Sequence, residues 1–179
     1  MILVEYRVHK LSVLWRHRWL RLAVEIISIL LVLLAVRAWM QRGMVDGVVP
    51  ELEGRLLNDE YYSLLTDNRR PLLVHFWASW CPVCKLEQES VQAISDDHPV
   101  ITIAMQSGEA SEVAKYMQQE GLHFSVLNDP DGMLARRFGV RAVPSSFIVA
   151  DNNTIVFRET GYTIGIGLRL RLWLAQYWR

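Results

Sequence analysis

The two cysteines of this chain, Cys81 and Cys84, are separated by two residues. They are the only cysteines among 179 residues, and the Cys-x-x-Cys spacing lets the two sulfurs meet within one turn of helix. A bridge that closes so small a loop removes little entropy from the unfolded chain, so it would be a poor structural crosslink. The spacing therefore favours a chemical use, in which the pair cycles between dithiol and disulfide.

The neighbouring elements place this pair where a strand gives way to a helix. Residues 71–78 form an apolar run rich in valine and aromatics, which is typical of a buried strand, and residues 85–94 carry apolar side chains at helical spacing. Cys81 is therefore expected at the helix N-terminus, where unpaired N–H groups and the helix dipole stabilise an anion such as a thiolate. This predicts Cys81 as the nucleophile and Cys84, one turn further along, as the resolving thiol. Pro82 suits the first helical turn.

Two segments of the chain resemble a known family. Residues 76–85, FWASWCPVCK, resemble the active-site signature of the thioredoxin superfamily, and residues 124–132 and 138–149 are similar to its membrane-anchored TlpA-like branch. The resemblance extends over residues 48–179. Within the branch, the Cys-Pro-Val-Cys motif, the single anchor and the tail at residues 167–174 are most similar to the suppressor-of-copper-sensitivity D type. The resemblance implies an α/β thioredoxin-like fold, a central mixed β-sheet flanked by helices, with one N-terminal transmembrane helix.

The resemblance also implies roles for residues around the cysteines. In the family, the proline that corresponds to Pro144 is cis and faces the two sulfurs, and X–Pro bonds tolerate the cis form at low cost. The backbone of Val143 would then pair with an extended substrate segment. The alternative is an ordinary trans proline at the edge of a strand. Trp80, beside the nucleophile, is expected to be exposed and part of the substrate-binding face.

His75 departs from the family pattern, because thioredoxin carries a buried acid at this position of the strand. A neutral imidazole could accept the proton that Cys84 must lose. The alternative, which we favour, is a hydrogen-bonded core histidine without a chemical role. Further along, Glu87 and Glu89 are predicted to lie on the solvated face of the helix.

The remaining elements indicate the same architecture. Strand and helix patterns alternate along residues 50–179, which indicates an α/β domain with a central sheet. Residues 164–174 are ambiguous, because their apolar side chains alternate strictly, as in a strand, yet also satisfy helical spacing. The family resemblance implies a terminal helix that covers the sheet, and we predict a helix.

The segment at residues 19–40 predicts a membrane anchor. It offers about 20 predominantly apolar residues, enough to cross the hydrocarbon core. Its uninterrupted apolar part, residues 26–36, is short enough for a signal peptide. Residues 36–38 offer only a weak cleavage site, so an uncleaved anchor is favoured.

Charge on either side of the anchor predicts its orientation. The segment before it is rich in basic residues and holds one acid, Glu5, whereas fewer basic residues follow it. The positive-inside rule therefore predicts a cytoplasmic tail at residues 1–18 and an external thioredoxin-like domain at residues 50–179, with a linker at residues 41–49. In a Gram-negative bacterium this means a single-pass protein of the inner membrane with its catalytic domain in the periplasm, where disulfide chemistry is normal.

The predicted function is that of a membrane-tethered, periplasmic thiol–disulfide oxidoreductase that reduces protein disulfides with the Cys81–Cys84 pair. No cofactor and no metal are expected for this chemistry. The expected partners are substrate proteins with cysteines or disulfides and a membrane electron donor that recycles the pair. The formal net charge of zero gives no electrostatic reason to expect nucleic-acid binding. A monomer is expected, since the long arms of dimerising isomerases are absent.

Three alternatives stay open at this point. The first is a thiol reductant of cytochrome c maturation, against which Ser145 and Ser146 follow Pro144 where an acidic residue would be expected. The second is a copper(I)-binding or copper-transfer module that uses the same two thiolates, in keeping with a role in copper tolerance. The third is an anchored binding module without catalytic activity.

Overall fold

The structure, a computed structural model, describes residues 2–178, and their side chains from Trp19 onward. The predicted cytoplasmic tail, residues 1–18, thus lies outside the described side chains. The helices are α1 (Ile2–Met40), α2 (Pro82–Ser95), α3 (Ala110–Glu120), α4 (Met133–Arg137) and α5 (Gly165–Ala175). The strands are β1 (Gly47–Val48), β2 (Glu53–Arg55), β3 (Tyr61–Ser63), β4 (Leu72–Trp77), β5 (Val100–Met105), β6 (Val126–Asp129), β7 (Ser145–Val149) and β8 (Thr154–Thr160).

The chain divides into two compact units, Met1–Trp39 and Met40–Arg179. In the first, the stretch Trp19–Met40 of α1 has 22 residues and a mean hydropathy of 2.4, so its length and composition suffice to cross a membrane. This is the segment that the sequence predicts as the anchor.

The second unit is built on a mixed sheet with the strand order β1-β8-β7-β4-β5-β6. The central strand β4 runs parallel to β5 and antiparallel to β7. All six of its residues are buried, because elements pack against both faces of the sheet. The predicted α/β thioredoxin-like fold is confirmed.

Alternate residues of β4 supply two hydrophobic cores, one on each face of the sheet. Leu73 and Trp77 belong to the core beneath α2, α3 and α5, which also contains both cysteines. Phe76 belongs to the opposite core, where its ring centroid lies 5.2 Å from that of Phe138 and 5.9 Å from that of Phe147. The strand that leads to Cys81 therefore packs against a hydrophobic core on each face of the sheet.

The structure corrects the predicted linker at residues 41–49. Gly47 and Val48 form β1, which pairs antiparallel with β8. Met44 and Val49 are 5% and 4% exposed and join the core that contains Phe76. The segment looked like a linker because β1 is only two residues long and the segment contains two glycines, yet its backbone completes one edge of the sheet.

The C-terminal segment is helical, as predicted. In α5 the buried residues Leu168, Leu172 and Ala175 follow helical spacing and pack against the sheet core. The leucines between them, Leu170 and Leu174, turn outward and are exposed.

Candidate active site

The two cysteines lie at the junction of β4 and α2, as the sequence predicts. Cys81 is the N-cap of α2 and has extended backbone angles, with Pro82 in the first turn. Its Sγ accepts a hydrogen bond of 3.2 Å from the backbone N–H of Cys84. An N–H that the helix leaves unpaired therefore points at the sulfur of Cys81, which suits a thiolate at that atom.

The two thiols are unbridged, and both are buried. Burial raises the pKa of the Cys84 thiol, and the Cys81 side chain and the negative charge of Glu87 raise it further. Cys84 therefore stays protonated until a base removes its proton. The N–H that donates to the Cys81 sulfur and the raised pKa of Cys84 together support Cys81 as the attacking sulfur and Cys84 as the resolving one.

The segment before β7 lies next to Cys81. The Val143–Pro144 peptide bond is cis, as the resemblance implies, and the thiol of Cys81 donates to the carbonyl oxygen of Val143 at 3.5 Å. The segment is also bonded to the chain just after β8, because the N–H of Gly161 donates a hydrogen bond of 2.8 Å to the Pro144 oxygen. The structure thus brings Cys81 and Val143, 62 residues apart in sequence, into contact.

Two tryptophans near the cysteines have different surroundings. Trp80 is 60% exposed, and its indole N–H donates to the backbone oxygen of Gln106 at 2.9 Å. Trp77 is buried, donates to the Thr102 hydroxyl at 3.1 Å and packs on Tyr116. Trp80 therefore presents an exposed ring, fixed by its hydrogen bond, next to Cys81, whereas Trp77 is part of the core.

A family profile described as Redoxin matches residues 48–166 of the chain. The chain belongs to the Redoxin family. A thioredoxin-like protein from Haemophilus influenzae is 25% identical over 82% of this chain and 89% of its own length. The thiol:disulfide interchange protein DsbE of Escherichia coli is 27% identical over 68% of each chain. The crystal structure of StoA from Bacillus subtilis superposes with a TM-score of 0.60, at 23% identity, over 69% of this chain and 96% of StoA.

These similarities confirm two predictions made from the sequence. The chain is a thioredoxin-superfamily protein of the TlpA-like kind, and its class is that of the thioredoxin-like protein-disulfide oxidoreductases. The cysteines, the cis proline and the exposed Trp80 occupy one end of the sheet in this Redoxin domain.

His75 lies within the sheet, one strand position before Phe76. Its side chain is 2% exposed, and Nδ1 lies 2.9 Å from the hydroxyl oxygen of Ser146, its neighbour in register on β7. Burial lowers the pKa of His75 to about 4, so the ring is neutral near pH 7. A neutral ring hydrogen-bonded across two central strands is the arrangement we expect of a core histidine.

Glu87 contradicts the prediction of a solvated position, because its side chain is only 1% exposed. One carboxylate oxygen accepts a hydrogen bond of 3.3 Å from the backbone N–H of Thr163, and the other oxygen has no hydrogen-bond partner. Burial raises the pKa of Glu87 to about 7. The charged sequence around it suggested an exposed face, whereas Glu89, two residues on, is exposed as predicted.

A signal for the burial of Glu87 was present in the sequence. The buried positions of α2 are residues 84, 87, 91 and 94, which are the spacings of one helix face. Glu87 therefore shares its face with Cys84 and lies one turn further along. The buried carboxyl whose charge raises the pKa of Cys84 therefore lies on the helix, whereas the strand carries His75.

Replacing Glu87 with glutamine should change how stability depends on pH. The folded-state pKa of about 7 lies above the ordinary value of 4.5, so between these values the folded chain binds a proton that the unfolded chain has lost. As the pH rises through this window, this group should lower the free energy of unfolding by roughly 2–3 kcal/mol. Glu87→Gln removes that loss, as denaturant unfolding between about pH 5 and pH 8 would measure.

Glu89→Gln is the matched control, since it removes an exposed carboxyl from the same helix. The free energy of unfolding of Glu89→Gln should depend on pH as that of the unaltered chain does. His75 titrates in the unaltered chain and in both variants, so its contribution is the same in all three. Parallel profiles for Glu87→Gln and the unaltered chain would contradict a raised pKa at Glu87.

Proposed function

We propose that this chain is a membrane-tethered thiol–disulfide oxidoreductase that reduces the disulfides of substrate proteins in the periplasm. The observation that carries the proposal is the contact between the Cys81 thiol and the Val143 oxygen, 3.5 Å long. It places a sulfur at a helix N-terminus beside a backbone segment that an extended chain can pair with.

The reaction follows from this geometry. A substrate segment pairs with the backbone at Val143, and the Cys81 thiolate attacks one sulfur of the substrate disulfide. The S–S bond breaks, the second substrate sulfur leaves as a thiolate and takes up a proton, and a mixed disulfide forms at Cys81. Cys84 then loses its proton and attacks the Cys81 sulfur. This step releases the first substrate thiol and leaves the chain with a Cys81–Cys84 disulfide, so that two electrons have passed to the substrate.

The second step depends on removal of the proton of Cys84. Glu87 is a buried carboxyl on the same helix face, and its charge acts on the Cys84 thiol. Its pKa of about 7 suits a group that exchanges a proton near neutral pH. His75 has its hydrogen bond to Ser146 and is assigned no step.

Two parts of the proposal, the membrane tether and the periplasmic location, are argued from the N-terminal segment. The stretch Trp19–Met40 is long and apolar enough to span a bilayer, and the excess of basic residues before it favours an N-terminus in the cytoplasm. A reductant outside the cytoplasm needs electrons from the other side of the membrane, so we propose a membrane electron donor that reduces the Cys81–Cys84 disulfide.

Two narrower functions use the same cysteines. A role in cytochrome c maturation, as thiol reductant, is the first, and Ser145 and Ser146 after Pro144 still stand against it. Copper(I) binding or transfer, in keeping with the suppressor-of-copper-sensitivity D type, is the second. Among the residues whose side chains are described, 19–178, no three His, Cys, Asp or Glu side chains are grouped to hold a metal ion, so Cys81 and Cys84 would have to serve as a two-thiolate site.

The deciding experiment is the reduction potential of the Cys81–Cys84 pair, measured on the full chain in lipid nanodiscs by equilibration with glutathione. A value near that of thioredoxin, about −270 mV, supports a reductant that needs a membrane electron supply. A value near about −120 mV would identify an oxidant and reverse the proposed direction. Tight copper(I) binding without a disulfide at any potential would replace the proposal by the metal function.

A further inference from the structure

We propose that the outward face of α5 docks the Redoxin domain on the surface of the lipid bilayer that holds the chain's own anchor. This inference rests on the membrane tether proposed above and adds an interaction surface to it. The outward face is defined by five exposed side chains that share one side of the C-terminal segment: Ile166, Leu170, Trp173, Leu174 and Tyr177.

The outward face is continuous along the helix. Ile166, Leu170 and Trp173 follow the spacing i, i+4 and i+7, which keeps them on one face of the helix, and Tyr177 lies in the turn just after the helix. They are 78%, 54%, 51% and 70% exposed, respectively. The buried residues, Leu168, Leu172 and Ala175, lie on the opposite side. α5 thus carries two apolar faces, of which the domain core covers one.

The chemistry of this face matches the boundary between lipid tails and headgroups. The rings of Trp173 and Tyr177 pack edge to face, with centroids 5.2 Å apart, and tryptophan and tyrosine are the side chains enriched at that boundary. No acidic residue occurs in residues 160–179, whereas this stretch contains three arginines. Arg169 and Arg171 form ion pairs with Asp97 and Glu159, so it is the apolar and aromatic side chains of this face, rather than its charge, that favour a membrane surface as its partner.

The place of α5 in the fold brings this face near the start of the domain. The ring of Trp178 packs on that of Phe157 of β8, with centroids 6.3 Å apart, and Arg171 forms a 2.9 Å ion pair with Glu159 of the same strand. Arg158 lies between Phe157 and Glu159 on β8, and its backbone oxygen accepts a hydrogen bond of 3.3 Å from the Gln41 side chain. The C-terminal half of α5 therefore borders the strand that binds the first residues after the anchor.

The tether is short enough to keep the domain at the membrane surface. Only residues 41–43 separate the end of the apolar stretch at Met40 from Met44, which is 5% exposed and fixed in the domain core. Even fully extended, this connection spans only about 10–15 Å. An exposed apolar face on a domain held so close to a bilayer has that bilayer as its nearest apolar partner.

The test uses the full chain in vesicles of phosphatidylcholine and phosphatidylglycerol. Leu170→Cys in a chain that also carries Cys81→Ser and Cys84→Ser takes a single nitroxide label, whose collisions with oxygen and with a water-soluble nickel chelate report its depth. The control is Leu86→Cys in the same background, since Leu86 is 72% exposed on α2 beside Cys84. We expect the oxygen-to-nickel accessibility ratio to be severalfold higher at residue 170 than at residue 86.

Equal ratios at residues 170 and 86, in protein that floats with the vesicles after a carbonate wash, would overturn the docking and leave the tether intact. Protein that fails to float would overturn both. Spin–spin broadening between labels at residue 170 would identify a second copy of the chain as the occupant and would also overturn the proposal.

A second readout keeps both active-site cysteines. In vesicles of lipid brominated near the headgroup, the tryptophan fluorescence of the unaltered chain should be quenched more than that of Trp173→Phe, because the anchor tryptophans contribute equally to both. Equal quenching of the two proteins would count against the docking.

Discussion

Cys84→Ser should stop turnover after the first step and leave the chain covalently attached to its substrate. Cys81 has an N–H of the helix pointing at its sulfur and lies beside the Val143 oxygen, so it can still attack a substrate disulfide. Without a thiol at position 84, nothing within the chain resolves the mixed disulfide. We expect multiple-turnover reduction of a model protein disulfide to fall by at least about 10³-fold, with a mixed-disulfide adduct visible on non-reducing gels and by mass spectrometry.

The control variant is Cys81→Ser. It should lose turnover to the same degree but form no adduct, because the pKa of the remaining Cys84 thiol is raised by burial. If Cys81→Ser formed the adduct and Cys84→Ser did not, the two roles would be reversed. If both variants still reduced the disulfide at the rate of the unaltered chain, the reduction would not come from the Cys81–Cys84 pair and the proposed mechanism would be wrong.

Gly139→Ala should destabilise the Redoxin domain more than a substitution at any other glycine. Gly139 has φ of +67°, and a Cβ placed there would overlap the backbone carbonyl of Gly43 and touch the backbone of Met44. Met44 and the neighbouring Phe138 are both core residues, so relief of the overlap would disturb the packing of that core. We expect a loss of roughly 3–4 kcal/mol in the free energy of unfolding, measured with denaturant on the full chain in detergent.

The loss at Gly139 has two causes, the positive φ angle and the overlap of the new Cβ with the Gly43 backbone, and Gly121→Ala measures the first cause alone. Gly121 has the same φ of +67°, as the C-cap of α3, but no atom lies within 4 Å of the position its Cβ would take. This variant should lose only about 1 kcal/mol, the usual cost of a left-handed conformation for alanine. Equal losses in Gly121→Ala and Gly139→Ala would show that the close approach to Gly43 contributes nothing.

Much of the architecture could be predicted because its signals are local. The apolar run before Cys81 and the helical spacing after Cys84 predict the strand-to-helix junction, and the structure has β4 and α2 there. The apolar composition of residues 19–40 predicts a helix that can span a membrane, and α1 contains one. Strand and helix propensities act over a few residues, so a single sequence carries them.

Other features depended on partners that are distant in the sequence. Residues 41–49 have little strand character of their own, and Gly47 and Val48 form β1 because β8 offers them an open edge. The leucines at residues 168–174 alternate as in a strand, and α5 is a helix whose buried side packs against the core that contains the cysteines. In both segments the tertiary partner decided between conformations that the local pattern left nearly equal.

The sequence by itself determined that two cysteines stand at a spacing that suits redox cycling and at the start of a helix. Only the tertiary structure decided that Glu87, on the same helix, is buried. A carboxyl in a charged stretch of helix is expected to be exposed to solvent. Instead, α2 packs against the sheet and against the segment at Thr163, so Glu87 is buried and burial raises its pKa to about 7. Burial depends on what covers a side chain, and for Glu87 the cover comes from a segment 76 residues further along the chain.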